Sequence, residues 1–281
     1  MPIAVVNGVD LYYEETGRGF PLIFCHEFAG DYRSWESQVR YFSRRYRVIT
    51  YNSRGYPPSE VPQDPAAYSN DILVEDLHQL LHHLGIRQAH VAGLSMGANV
   101  ALNFGLSHPA MAKSLIVAGC GSGSTGREEA LARYARNADD LEARGMRAAV
   151  DQFSSAASRR AYVAKDPRGW KEFLAHLEDH SGLGSALTLR GVQMKRKTIF
   201  ELESRLRQCR VPTLIISGDQ DESCLEPSLF MQRHLPQAGL LVLPMSGHTT
   251  NVEEPGLFNL HVEQFLAAVE NGRWGIWTAA P

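Results

Sequence analysis

The sequence predicts an α/β protein, a mostly parallel, doubly wound sheet with helices on both faces and a helical cap inserted late in the chain. Three observations carry this. Strand-like and helix-like patterns alternate along most of the chain, and the later strand runs are apolar throughout, as parallel strands covered on both faces must be. One long stretch then shows helical patterns and no convincing strand. With 281 residues, 44% of them hydrophobic, the chain has enough material for one large core carrying an insertion.

The opening MPIAVVNGVDLYYEE reads as a first hairpin. Strand-like runs fall at 10–14, 21–25, 46–51, 88–93, 114–118, 212–217 and 240–243. Between them, Trp35, Val39 and Phe42 are spaced as on one helix face. Ile72, Leu73, Leu77, Leu80, Leu81 and Leu84 form a longer stripe that stops at Gly85, a helix-terminating glycine. A further helix covers 255–269. From 125 to 208 arginine, alanine and glutamate dominate, bounded by GCGSGSTG before and CRVPT after. This is the cap, 125–208, set into a core made of 1–124 and 209–281. Its spaced aromatics, Tyr134, Phe153, Tyr162, Trp170, Phe173 and Phe200, read as the cap's own core, with one or two of them facing the pocket.

Composition excludes several classes of function. A formal charge of −3 with no block of like charge gives no footprint for nucleic acid or an anionic membrane surface. No apolar run approaches the ~18 residues of a membrane span, and the N-terminus lacks a basic segment followed by a hydrophobic stretch and a cleavage site. Cys25, Cys120, Cys209 and Cys224 are scattered, with no C-x-x-C pair, and read as reduced core residues of a cytoplasmic protein. The expected partner is a small-molecule substrate; association of the chain with its own copies stays open.

The stretch HVAGLSMGANVALNFG, residues 90–105, passes from a strand pattern to a helix pattern with no loop between them. Gly93 and Gly97 remove the Cβ atoms that would collide at so sharp a turn, and Ser95 is pushed out at a helix N-terminus. There, unpaired N–H groups and the positive dipole end stabilise a developing anion. This is G-x-S-x-G, the pattern of a nucleophile elbow. A serine hydroxyl is a poor nucleophile at neutral pH, so it needs a histidine to take its proton and an acid to orient that histidine. The apolar run 212–217 leads into Gly218-Asp219-Gln220-Asp221, and the run 240–243 leads into Pro244-Met245-Ser246-Gly247-His248. A carboxylate and His248 thus leave the sheet at the edge where Ser95 emerges.

With these pieces in place the chain resembles the α/β-hydrolase family over nearly all of its length outside the cap. The matching residues are His26-Glu27-Phe28, Tyr51-Asn52-Ser53-Arg54-Gly55, Gly93-Leu94-Ser95-Met96-Gly97, Gly218-x-x-Asp221, and Gly247-His248 followed by Glu253 and Pro255. The resemblance implies Asp221 as the acid, with Asp219 second, and an oxyanion hole from the backbone N–H groups of Met96 and Phe28. It implies no cofactor. Acyl transfer at an ester or lactone is the leading activity. Carbon–carbon bond hydrolysis next to a ketone, cofactor-free perhydrolase or haloperoxidase chemistry, and ligand reception with slow hydrolysis are the alternatives by fold analogy.

Two departures from the family pattern stand out. Where relatives have His-Gly this chain has His26-Glu27, and where they have Asp and a Gly-x-Gly-x-Ser tail it has Asn52 and Tyr56-Pro57-Pro58-Ser59. Glu27 is expected to face away from the oxyanion hole, paired at the surface with an arginine such as Arg33 or Arg54, because a carboxylate there would oppose the developing charge. The pairs His78/His82 and His176/His180 have i,i+4 spacing without H-E-x-x-H or a third ligand nearby, and read as surface histidines rather than a metal site. Lys195-Arg196-Lys197 with Arg190, Arg205, Arg207 and Arg210 reads as a solvated helical face ahead of the alternative that it draws a carboxylate-bearing substrate into the cap.

Overall fold

The computed structural model describes residues 2–275. Eight strands form one sheet: β1 (Ile3–Val6), β2 (Val9–Thr16), β3 (Phe20–Cys25), β4 (Tyr46–Tyr51), β5 (Ala89–Leu94), β6 (Ala112–Ala118), β7 (Thr213–Gly218) and β8 (Ala238–Leu243). Their order is β1-β2-β4-β3-β5-β6-β7-β8. β1 and β2 make the expected hairpin and β2 runs antiparallel to β4; every other pairing is parallel. Register sets the functional edge. Cys25 pairs with Gly93, Leu94 with Ala118, Ala118 with Ile216, and Gly218 with Leu243. The segments that follow β3, β5, β6, β7 and β8 therefore emerge side by side, at the carboxyl edge where α/β sheets carry their chemistry.

The helices are α1 (Glu36–Phe42), α2 (Asn70–His83), α3 (Met96–Ser107), α4 (Arg127–Arg144), α5 (Met146–Ser154), α6 (Arg160–Lys165), α7 (Pro167–Glu178), α8 (Gly182–Thr188), α9 (Glu203–Gln208), α10 (Glu222–His234), α11 (Thr250–Glu253) and α12 (Pro255–Glu270). One face of the sheet packs on α2, α3, α9 and α10 through Leu77, Leu80, Phe104, Leu206 and Met231. The other packs on α1 and α12 through Phe42, Phe258, Val262 and Phe265, with Trp35 beside them. Both faces are covered, so β5 and β7 are buried at every position. β8 departs from the expectation of strands apolar and covered throughout: it is the sheet's edge and most of its residues are half-exposed. No helix among the described residues is long and apolar enough to cross a membrane.

Between β6 and β7 the chain is helical, α4 to α9, and forms the cap insertion. A third apolar cluster joins Tyr134, Tyr162, Trp170, Phe173 and Leu177 to Ala29 and Phe28 of the core. The cap aromatics are therefore not a closed core of their own, since they continue onto the loop after β3. Phe200 departs further. Its ring lies 5.0 Å from Phe230 of α10, against the sheet's own helices.

Candidate active site

Ser95 joins β5 directly to α3, with φ 54° and ψ −109°. A non-glycine residue rarely holds that left-handed φ, and here the surroundings impose it. Its N–H donates to Ala118 O at 2.8 Å, which ties the turn to the neighbouring strand. A Cβ on Gly93 would lie 2.2 Å from Gly97 O, and one on Gly97 would lie 2.1 Å from Cys25 O. Both glycines are required by backbone approaching backbone. The second also presses the start of α3 onto the end of β3, bringing Met96 up to the loop that carries Phe28. Met96 opens the helix, so its N–H has no intrahelical acceptor.

His248 and Asp221 meet at the adjoining strand ends. His248 Nδ1 lies 2.6 Å from Asp221 Oδ2, and both residues are buried. Ser223 Oγ donates to the other carboxylate oxygen at 2.9 Å, and Asp221 sits at the N-terminus of α10, where the helix dipole favours its charge. Burial pushes the Asp221 carboxyl up, but the charge and hydrogen bond of His248 outweigh it and hold it below its ordinary value. The same contest leaves His248 raised: burial lowers it, and the Asp221 charge and hydrogen bond more than offset that. Asp219 is not on the histidine; its Oδ1 accepts from Ser246 N–H at 3.1 Å and shapes the following loop. Gly119, at φ 55°, lies against this loop: a Cβ there would lie 3.1 Å from His248 O and 3.4 Å, ordinary contact, from both His248 Cε1 and Leu94 Cδ1. The imidazole thus packs beside the strand end that leads into Ser95.

The loop bearing Phe28 is fixed from below. His26 is buried, with Nδ1 2.7 Å from Glu27 O and Nε2 accepting from Ser53 N–H at 3.0 Å. Burial holds the imidazole neutral, lowered to about 4, so Nδ1 donates to the carbonyl. Phe28 O accepts from the Tyr56 hydroxyl at 2.9 Å. Asn52 explains its own departure from the family pattern: Oδ1 accepts from Tyr32 N–H at 2.8 Å while Nδ2 donates to Pro57 O at 2.8 Å. An ionised aspartate could not donate to Pro57 O.

Glu27 does pair with an arginine, but neither expected partner supplies it. Arg54 is held by Asp76 at 2.6 Å and Arg33 by Asp31 at 2.6 Å. Arg159 of the cap binds Glu27 instead, Nη2 to Oε2 at 2.5 Å and Nη1 to Oε1 at 3.3 Å. The pair is buried, each side chain 3% exposed, not the surface pair expected. Arg159 also lies over the Phe153 and Phe173 rings, 5.3 Å from each. One residue earlier, Ser158 O accepts from His248 N–H at 3.2 Å. A single cap turn therefore touches both the loop after β3 and the loop bearing His248.

Glu253, noted in the sequence without a role, is buried and accepts from Gly247 N–H at 2.6 Å, Thr249 N–H at 2.9 Å and Thr249 Oγ1 at 2.9 Å. It clamps the backbone on either side of His248. Cys224 was read as a core residue and is one, yet its Sγ donates to Gly119 O at 3.3 Å and lies 3.9 Å from His248 Nδ1. His180 corrects the reading of surface histidines: it is buried, Nε2 3.1 Å from Asp31 Oδ2. Among the described residues candidate metal ligands converge twice, at Asp221, Cys224 and His248, and at Glu75, His78 and His108. The first set belongs to the site above. In the second, the two imidazoles stack 4.1 Å apart at 11°, so neither ring plane holds a metal placed in the other.

The model of the alpha/beta hydrolase fold family matches residues 21–255. The chain belongs to that family. Among curated relatives it is 30% identical over 248 residues to 3-oxoadipate enol-lactonase 2 of Acinetobacter baylyi, 87% of this chain and 88% of that one. It is 26% identical over 275 residues to a putative 2-succinyl-6-hydroxy-2,4-cyclohexadiene-1-carboxylate synthase of Bacillus subtilis, 95% of this chain and 98% of that one. A thermophilic esterase from Thermogutta terrifontis superposes with a TM-score of 0.84 at 24% identity, covering 95% of this chain and 98% of that one. At that identity the likeness is one of fold.

Proposed function

We propose that this α/β-hydrolase cleaves an ester or lactone of a small, largely apolar molecule through an acyl-serine at Ser95. Ser95 Oγ attacks the carbonyl carbon while His248 Nε2 takes its proton, and the carbonyl oxygen becomes an oxyanion held by the N–H groups of Phe28 and Met96. Collapse expels the alkoxide, which His248 protonates. Water, deprotonated by His248, then attacks the acyl carbon; the acyl–Oγ bond breaks, His248 returns the proton to Ser95 Oγ, and the acid is released. Asp221 holds Nδ1–H, fixing the tautomer that leaves Nε2 free and stabilising the imidazolium.

The observation that supports this reading is the buried 2.6 Å contact between His248 Nδ1 and Asp221, at the same carboxyl edge of the sheet as a serine held at positive φ on a strand–helix turn. Likeness to an enol-lactonase at 30% identity over 88% of its length favours acyl transfer among the family's chemistries. The cap segment 125–208 serves as the roof of the site, contributing aromatic surface and excluding water. The test is turnover on a panel of p-nitrophenyl esters, aliphatic and enol lactones, and vinylogous diketones. Ester or lactone cleavage, lost in Ser95→Ala, is the expected result; diketone cleavage without ester or lactone turnover would overturn it.

A further inference from the structure

A hydrogen-bond donor acts along the direction its peptide sets, and the two donors assigned above to the oxyanion are aimed by different means. Met96 N–H opens α3 and lies along the helix axis. Phe28 N–H stands in a loop, so its direction depends on what holds the Glu27–Phe28 peptide. That peptide is trans, so its carbonyl and its N–H point opposite ways, and a group that fixes Glu27 O also aims Phe28 N–H.

Two donors meet Glu27 O. Gly30 N–H reaches it at 3.1 Å across a tight turn, and His26 Nδ1 lies 2.7 Å away. Ser53 N–H donates to Nε2 of the same ring at 3.0 Å, so Nε2 carries no hydrogen and the proton of the neutral imidazole sits on Nδ1. The ring takes one hydrogen bond and gives the other.

The series continues upstream. The carbonyl of the Asn52–Ser53 peptide, Asn52 O, accepts from Ser59 Oγ at 2.7 Å. Ser59 Oγ in turn accepts from Tyr12 N–H of β2 at 2.8 Å, so its single proton is left for Asn52 O. From β2 to the loop after β3, every link donates in the same direction: Tyr12 to Ser59, Ser59 to one peptide, that peptide to His26, and His26 to the next peptide. Ser59, Asn52, Ser53, His26 and Glu27 are all buried. Phe28 N–H ends the series and has no acceptor among the described residues. Bonds that run head to tail in a low-dielectric interior polarise one another by roughly 10–30% each, which leaves the last N–H the most positive. Contacts that only held the loop would need no common direction.

We propose, resting on the acyl transfer assigned above to Ser95, that Ser59, Ser53 and His26 form a one-way hydrogen-bond relay that aims and polarises Phe28 N–H toward the oxyanion. His26 and Ser59 are positioning residues in it, since they act through the Glu27–Phe28 peptide. The relay also explains why the turn Tyr56-Pro57-Pro58 ends in a buried serine.

The test uses two variants that divide the ring's two bonds. The asparagine amide nitrogen reaches the place of Nδ1, and the glutamine amide reaches the place of Nε2. His26→Asn therefore keeps the donor on Glu27 O, while His26→Gln keeps only the partner of Ser53. The first readout is the Phe28 amide resonance of protein labelled with nitrogen-15 phenylalanine, assigned by its loss in Phe28→Leu. Donation to a carbonyl deshields the nitrogen of the following amide, so this resonance should move upfield in His26→Gln, move less in Ser59→Ala, and lie nearer wild type in His26→Asn. The second readout is turnover of an activated ester. His26→Gln should lower kcat at least about tenfold with KM unchanged, because a donor aimed wrongly loses part of what a deleted donor loses. His26→Asn should restore kcat to within about threefold of wild type, with Ser59→Ala between the two and Ser59→Thr restoring it. The inflection of kcat/KM with pH should stay in place throughout, since His248 keeps its partners. A Phe28 resonance unmoved in both His26→Gln and Ser59→Ala would overturn the relay whether or not the protein cleaves esters. Equal loss of kcat in His26→Asn and His26→Gln would also overturn it, showing a ring that holds the loop without aiming the donor. The expected resonance shifts in a wild-type protein that cleaves neither ester nor lactone would support the relay and overturn the acyl-serine reading alone.

Discussion

At the scale of single residues, the proposed site rests on three side chains whose substitutions should have different signatures. Ser95→Ala removes a hydroxyl on a turn and should cost on the order of 10⁴-fold or more in kcat with the fold intact, read by steady-state kinetics and circular dichroism. His248 must be neutral to act as base, and its proton affinity is raised by Asp221. Activity is therefore lost as pH falls through a value above the ordinary imidazole pKa of about 6.5, and kcat/KM should rise through that higher inflection. Asp221→Asn removes the two largest raising contributions and leaves burial, which lowers, ahead of the smaller raising charge of Glu27. Its inflection should move to lower pH while kcat drops by up to about 10⁴-fold. An unshifted profile in that variant would show that Asp221 does not set the histidine's charge. Glu27→Gln tests the cap contact: Arg159 would be left buried without its counter-charge, at a cost of about 3–5 kcal/mol, with kcat on an activated ester changed less than about threefold. A melting temperature equal to wild type would contradict the buried pair.

At the scale of elements, the strand–turn–helix from β5 to α3 is the most tightly specified piece of the chain. Gly97→Ala would put a methyl 2.1 Å from Cys25 O, so α3 must retreat from the loop bearing Phe28. We expect a loss of about 3 kcal/mol or more in urea unfolding, with kcat falling at least about 100-fold as the two N–H donors separate. Wild-type behaviour would mean that the elbow is looser than its backbone contacts require. This element was fully legible in the sequence because its constraint is local, two glycines and a serine within five residues. Asp221 and His248 were legible for a related reason: each lies in the loop after an apolar strand whose end, Gly218 or Leu243, the parallel register fixes. Glu27 was legible only in part. That it needs an arginine follows from charge, but its partner lies 132 residues away, on a cap turn whose docking no local pattern encodes. His180 was misread for the same reason, since its burial against Asp31 depends on where α7 and α8 land on the core. Asn52 reads as a bare departure in sequence, and its two-sided hydrogen bonding exists only after the Pro57 turn folds back.

At the scale of the whole molecule, sheet and cap meet through charges as well as aromatics. Arg159 holds Glu27, Arg33 reaches Asp179 at 2.8 Å, and Lys165 reaches Glu254 at 2.5 Å, each link crossing from cap to core. Ser158 O adds a hydrogen bond to the backbone of His248 itself. The cap thus supports both loops on which the proposed site is built. Replacing 125–208 by a short Gly/Ser linker should raise KM and also lower kcat by at least about tenfold, because the loop bearing His248 loses a support and Glu27 its counter-ion. Unchanged kcat and selectivity in the truncated protein would place the whole site in the core.

The central claim, a covalent acyl-serine at Ser95 made by an ordered base, is tested most directly by intact-protein mass spectrometry after reaction with a fluorophosphonate. Attack by an activated serine should add one phosphonyl group per chain, mapped to the peptide containing Ser95, slowed when Asp221 is replaced by Asn and absent in Ser95→Ala. An adduct of equal yield in Ser95→Ala, or ester turnover that continues undiminished after the reagent has failed to label Ser95, would contradict it.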